Sequence, residues 1–292
     1  MSLWETIGAD ITAATGQQAE LSGQESTGGG CINQTLRVRY GADSYFVKLN
    51  SASRADMFAA EALGLRELQD SHTLRVPETV CWGDDGESAY LVLEDLELGG
   101  RGDLAALGEG LAAMHRVTRE RFGWDTDNTI GSTLQINTCE HDWVDFWRTQ
   151  RLQFQLELAA QNGHGGRLQS QGEKLLDAFP ALFVGYSPPA SLLHGDLWSG
   201  NYAFNRSGEP VIYDPAVYYG DREADLAMTE LFGGFGADFY AAYRANYPLD
   251  AGYGVRKTLY NLYHILNHLN IFGEGYRSQA YRMMDTLLAE LV

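Results

Sequence analysis

Leu193-His194-Gly195-Asp196-Leu197-Trp198-Ser199-Gly200-Asn201 places an Asp two residues after a His and an Asn five residues after that Asp. Thirteen residues beyond Asn201, the apolar run Val211-Ile212-Tyr213 delivers Asp214. This is the spacing of a kinase catalytic loop followed by a metal-binding Asp. A hydroxyl nucleophile needs a carboxylate within hydrogen-bond reach to take its proton, and Asp196 would be that catalytic base. A tight loop then returns the chain, so that the amide oxygen of Asn201 can reach a Mg²⁺ ion. A hairpin over 202–213 brings Asp214 as a second oxygen ligand. Mg²⁺ favours this arrangement of few protein carboxylates with phosphate oxygens and water. Taken alone, the same residues also read as ordinary turn formers followed by a loop aspartate.

The N-terminal third adds the missing parts. Lys48 lies on the strand-like run Tyr45-Phe46-Val47-Lys48-Leu49. It is one of three lysines, with Lys174 and Lys257, among 21 basic residues. An edge-strand charge is the plain reading of Lys48. Its neighbours in sequence argue otherwise, because a glycine-rich turn (28–34) precedes it and a helix carrying Glu61 (55–70) follows. Glycine loop, strand lysine, helix glutamate, catalytic loop and metal Asp is the kinase order. Gly28-Gly29-Gly30 matches neither G-x-G-x-x-G nor G-x-x-x-x-G-K-[ST]. Its backbone N–H groups still suit a phosphate nest.

Hydrophobic periodicity fills in the rest. Residues 3–14 predict a short amphipathic helix, with Leu3, Ile7 and Ile11 on one face. Residues 35–40 and 44–49 alternate as a hairpin, and two more strands flank Asp84-Asp85-Gly86. Helices are expected over 103–116, 142–162, 170–184, 222–247 and 256–292, and short strands over 202–204 and 211–213. The fold class is therefore α+β. A β-rich N-terminal lobe with one inserted helix (1–95) precedes a larger, mainly helical C-terminal lobe (96–292).

The chain has 292 residues, 45% hydrophobic and 21% charged, enough for a sizeable core. With 21 Lys+Arg against 39 Asp+Glu, the net charge of −18 speaks against a nucleic-acid footprint and against adsorption to anionic lipid. Cys31, Cys81 and Cys139 are odd in number and widely spaced, which is neither a disulfide framework nor a zinc site. A cytoplasmic location is expected from those cysteines and from an N-terminus without a basic, then apolar, leader.

The sequence resembles the fructosamine kinase (ketosamine-3-kinase) family, a branch of the protein-kinase-like fold related to aminoglycoside and choline kinases. The resemblance runs through GGGCIN (28–33), FVK (46–48), LVLEDL (91–96), FGWDTDNTIGSTLQIN (122–137), HGDLWSGN (194–201) and DPAVYYGDREADLAMTELFGGF (214–235). It implies ATP- and Mg²⁺-dependent phosphorylation of the sugar 3-hydroxyl of ketosamines, free or on protein lysines, and hence a role in protein deglycation. By position, it makes Asp196 the base and Asn201 and Asp214 the metal ligands. Lys48 would meet the ATP phosphates, with Glu61 orienting it. Gly28, Gly29 and Gly30 would line the phosphates, and the backbone at Glu94, Asp95 and Leu96 would meet adenine. DPA at 214–216 stands where protein kinases carry D-F-G, so no Phe-driven switch is implied.

Trp198 reads either as a stacking surface for the sugar or its amine, or as a packing anchor. Asp225 is expected to brace the catalytic loop, His194 to hold its backbone and His115 to be structural. Cys31 reads as a small buried residue or as a redox-sensitive loop thiol. Two other readings stay open: a related kinase for an aminoglycoside, choline or another cationic hydroxyl compound, and a nucleotide-binding pseudokinase.

Overall fold

A computed structural model describes residues 2–18, 20–28 and 32–291. In chain order the elements are α1 (Leu3–Thr15), β1 (Leu21–Ser26), β2 (Gln34–Tyr40), β3 (Asp43–Ser51), α2 (Ala55–Asp70), β4 (Thr79–Asp84) and β5 (Ser88–Glu94). There follow α3 (Leu104–Met114), β6 (Thr118–Arg119), β7 (Asn128–Ile130), β8 (Thr133–Gln135), α4 (Trp143–Trp147), α5 (Phe154–Gln161), α6 (Arg167–Ala178) and β9 (Ala190–Leu193). The chain ends with β10 (Tyr202–Phe204), β11 (Pro210–Ile212), β12 (Tyr218–Gly220), α7 (Glu223–Leu231), α8 (Ala237–Asn246), α9 (Tyr253–Phe272) and α10 (Arg277–Glu290).

Two compact units result, Met1–Asp103 with Tyr202–Pro215, and Leu104–Asn201 with Ala216–Val292. The first carries an antiparallel sheet in the order β1-β2-β3-β5-β4. Its strands alternate as period two requires. Tyr45, Val47 and Leu49 pack with Val38, Tyr90 and Val92 under Ile7 and Ile11 of α1. Lys48 faces the other way. It sits opposite Thr35 on β2 and Leu91 on β5, so it lies on a central strand and not on an edge. The β10–β11 hairpin joins this unit, where the Ile212 N–H donates to the Arg75 carbonyl over 3.0 Å. The sequence placed that hairpin with the helical part.

In the second unit β12, β9 and β6 form a small antiparallel sheet, and α9 is buried along most of its length. Four predicted helices differ in detail. The 170–184 run is α6 up to Ala178 and then a 3-10 turn, Phe179–Phe183, that opens at Pro180. The 222–247 run breaks into α7 and α8 at Gly233 and Gly234, whose φ of 98° and 74° end the first helix. The 256–292 run breaks at Gly273, φ 83°. The 142–162 helix continues through a π-helical segment, Arg148–Gln153, between α4 and α5. Among the described residues no helix is long and apolar enough to cross a membrane.

Candidate active site

Three of the expected residues meet inside the first unit. Lys48 Nζ lies 2.5 Å from Glu61 Oε1 and 2.5 Å from Asp214 Oδ1. The residue is 3% exposed. Burial alone would lower the ammonium pKa, but the carboxylates of Asp214 and Glu61 outweigh it and hold the group above the ordinary lysine range. Asp214 reaches its place because it takes a left-handed conformation, φ 57°, directly after β11 and Tyr213, a strain that Asp tolerates better than most residues. Its side chain stays 48% exposed, so the carboxylate is not consumed by Lys48.

The residues expected at adenine have committed side chains. Glu94 pairs with Arg75 and accepts the Glu78 N–H, while Asp95 accepts from Arg37 Nε (2.6 Å) and Ser44 Oγ (2.7 Å). Burial would raise the Asp95 pKa, but those two donors bring it below the usual carboxylate value. At Glu94 and Asp95 the carboxylates are taken up within the protein, which leaves the main chain there for a ligand. Gly28 has φ 58° with open space around it, and Thr27 and Thr35 pair at the base of its loop. Gly29, Gly30 and Cys31 lie outside the described residues.

The loop that carries Asp196 and Asn201, the expected catalytic loop, belongs to the second unit and follows β9. It turns at Gly195, φ 83°, where a Cβ would lie 2.0 Å from the Ala216 carbonyl oxygen, so only glycine fits. Asp225 on α7 braces it, as expected. Oδ2 accepts the His194 N–H at 2.7 Å and Oδ1 accepts the Gly195 N–H at 2.8 Å. Burial opposes the Asp225 charge, yet these donors and His115 hold its pKa below the carboxylate norm. His115 Nε2 is 3.1 Å from Asp225 and its Nδ1 is 2.8 Å from the Tyr243 hydroxyl. Burial keeps this imidazole below its ordinary pKa despite Asp225, so it acts as a neutral structural bridge. His194 Nδ1 accepts the Asp196 N–H, and Asn201 Nδ2 donates to the Asp196 carbonyl at 2.8 Å. The second contact spends the nitrogen end of the Asn201 amide and turns the oxygen end away from Asp196, free to face a cation.

Asp225→Ala should therefore strand two buried N–H donors. The expected loss is roughly 3 kcal/mol of stability, read by urea denaturation. A loss under about 0.5 kcal/mol would mean that the loop holds itself.

Trp198 packs within its own loop, in keeping with the packing-anchor reading. Its ring lies against Gly200, where a Cβ would approach to 2.4 Å, and meets Phe232 edge-on at 6.3 Å. It remains 38% exposed. Phe232 in turn stacks near His268 (5.0 Å), which touches Phe272 and Tyr276. Sequence reading missed Phe232 and His268. Nothing in their spacing marks them, because the row is assembled from the residue after α7, from α9 and the turn beyond it, and from the loop after β9.

Comparison with known proteins finds one family over the whole chain. The family model described as fructosamine kinase matches residues 3–290. A Synechocystis protein named "Probable ketoamine kinase" is 47% identical over 289 residues, 98% of this chain and 97% of that one. The chloroplastic protein-ribulosamine 3-kinase of Arabidopsis thaliana is 44% identical over 280 residues, 94% of this chain and 86% of that one. The crystal structure of a protein assigned as a fructosamine-3-kinase from Haemophilus somnus superposes with a TM-score of 0.91 at 27% identity, covering 98% of this chain and 97% of that one. More remote choline and aminoglycoside kinase structures share the protein-kinase-like fold. With the match spanning nearly every residue, the chain belongs to the fructosamine kinase family.

Proposed function

We propose that the protein transfers the γ-phosphoryl group of ATP to the 3-hydroxyl of ketosamines, the adducts of ketose sugars with amines. The observation that carries this reading is Lys48 buried between Glu61 and Asp214, in a chain of this family. Asp196 accepts the proton of the sugar hydroxyl as its oxygen attacks the γ-phosphorus, and ADP leaves. Lys48 pairs with the ATP phosphates, the backbone at Gly28–Gly30 lines them, and the main chain at Glu94, Asp95 and Leu96 meets adenine.

Asn201 and Asp214 are the side chains that would hold Mg²⁺. One amide oxygen and one half-exposed carboxylate are hard oxygen donors, which suits this ion. Bound there, it would neutralise phosphate charge during transfer.

Among ketosamines, the ribulose adduct of lysine is the favoured substrate, a choice supported by the similarity to a protein-ribulosamine 3-kinase. The region from residue 96 onward has 15 Lys+Arg and 24 Asp+Glu, a charge balance that favours a cationic amine. The exposed ring of Trp198 offers the same preference through cation–π contact. Free Cys81 and Cys139 fit a reducing, cytoplasmic setting. A choline- or aminoglycoside-type activity lacks such support, and the pseudokinase reading is disfavoured because Lys48, Asp196, Asn201 and Asp214 are all present.

Initial rates on ribulosyl-lysine, fructosyl-lysine, free fructose, choline and kanamycin test the reading. Turnover should be confined to the two adducts, faster on the ribulose one. Turnover on choline or kanamycin alone would overturn the substrate class.

A further inference from the structure

The family-type stretch 122–137 has no place in the chemistry above, yet its side chains are among the most buried polar groups of the second unit. Asn128 on β7, Gln135 on β8 and Asn137 just beyond are 6%, 1% and 0% exposed. Asn128 and Gln135 face each other across the β7–β8 ladder. Buried amides of this kind are retained only with their hydrogen bonds made, and here, besides a bond from Asn137 to the Thr126 carbonyl at 3.1 Å, donors of two of them run to one stretch of main chain.

Asn128 Nδ2 donates to the Val217 carbonyl at 2.8 Å, and Gln135 Nε2 donates to the Ala216 carbonyl at 3.0 Å and to Asn128 Oδ1 at 2.8 Å. Asn137 Nδ2 donates to Asn128 Oδ1 at 3.0 Å. The direction of every bond is fixed by its ends. Arg151 can only donate, and its Nη2 meets Asn137 Oδ1 at 2.7 Å, which leaves the Asn137 nitrogen for Asn128 and the Asn128 nitrogen for Val217. Gln135 Nε2 must face a backbone carbonyl, so its Oε1 accepts from the Tyr263 hydroxyl at 2.8 Å. The chain of donors therefore starts at a buried guanidinium and ends on the main chain of 216–217, each bond polarising the next.

That main chain is also the partner of the catalytic loop. The Ala216 N–H donates to the His194 carbonyl at 2.8 Å, and the Ala216 carbonyl is the atom that excludes a side chain at Gly195. Asp225 holds the loop through the N–H groups of His194 and Gly195. The hairpin amides hold it from the 216–217 side.

We propose that the β7–β8 hairpin is the positioning element of the catalytic loop: Asn128 and Gln135 clamp the Ala216–Val217 main chain, which sets the turn carrying Asp196 for phosphoryl transfer. The inference rests on Asp196 as the base. It makes Asn128 and Gln135 positioning residues that touch neither substrate nor nucleotide.

Two variants separate positioning from general packing. Asn128→Asp keeps the oxygen that accepts from Gln135 and Asn137 and replaces the donor to Val217 by a carboxylate oxygen, which repels that carbonyl and releases the clamp. Gln135→Met roughly keeps the volume and removes the donor to Ala216 and Asn128 together with the acceptor of the Tyr263 hydroxyl. Each should lower kcat about tenfold. KM for ATP and the dissociation constant of ADP, measured by calorimetry, should stay within about twofold. Hydrogen exchange should quicken over 191–201 and 216–220 and stay unchanged over 259–269 in α9. Unchanged exchange at both segments, with kcat within about twofold of the parent, would overturn the proposal. So would faster exchange throughout α9 in step with the loss of activity, which marks a merely structural role. If Gln135→Met fails to fold, Asn128→Asp decides. Asp196→Asn run alongside should abolish most turnover without altering exchange. Should it keep its turnover, the base assignment fails, while the exchange comparison still judges the clamp.

Discussion

Asp196→Asn should bind ATP nearly as well as the parent and turn over about 10² to 10⁴ times more slowly, the usual worth of a positioned general base. The substitution is nearly isosteric. It retains the main-chain carbonyl that receives Asn201 Nδ2 and the N–H that His194 Nδ1 accepts, so the loop geometry survives. What disappears is an acceptor able to take the hydroxyl proton. Single-turnover rates with the ribulosyl-lysine adduct measure the loss, and calorimetry with ADP checks that binding is retained. Near-parental turnover would remove Asp196 from the chemistry.

Lys48→Met has the second largest expected effect, about 10- to 100-fold in kcat/KM for ATP, the worth of lost charge-assisted contacts to phosphate. It also leaves the Glu61 carboxylate buried without its cation, which should cost about 3 to 5 kcal/mol of stability. The double variant Lys48→Met/Glu61→Gln separates the two. It should recover much of the stability and none of the activity. The sign of the pH dependence follows from the raised Lys48 pKa. The stability from this contact is complete below about 10.5 and is lost only as pH rises through the higher folded value. The pH–rate profile should therefore show no limb from Lys48 between about pH 6 and 9. An unchanged kcat/KM for ATP in Lys48→Met would make the residue a structural cation.

Residues whose proposed roles follow from short spacings were the legible part of this candidate site. Asp196 and Asn201 are five apart on one turn, and a metal-binding Asp must come shortly after, at the end of a returning strand. Lys48 and Glu61 were legible through order along the chain, and the central position of β3 explains why an isolated lysine sits in an apolar run. The sheet of the first unit could be read because its strands alternate between two unlike faces.

The second unit was harder for the opposite reason. β9 is buried on both faces and β6, β7, β8 and β12 are two or three residues long, too short for any periodicity to register. The helix breaks at Gly233–Gly234 and Gly273 were masked by apolar stripes that continue on either side. Asn128 and Gln135 carry no signal of their own, since nothing local says that an amide will be buried against a carbonyl more than 80 residues away.

The position of the transferred phosphate tests the central claim most directly. Incubation of the protein with Mg²⁺-ATP and ribulosyl-lysine, followed by ³¹P NMR of the product, should show a single phosphomonoester coupled to the proton on C3 of the sugar. A phosphate on the terminal sugar carbon, or transfer to an aminoglycoside hydroxyl with the adduct untouched, would contradict it.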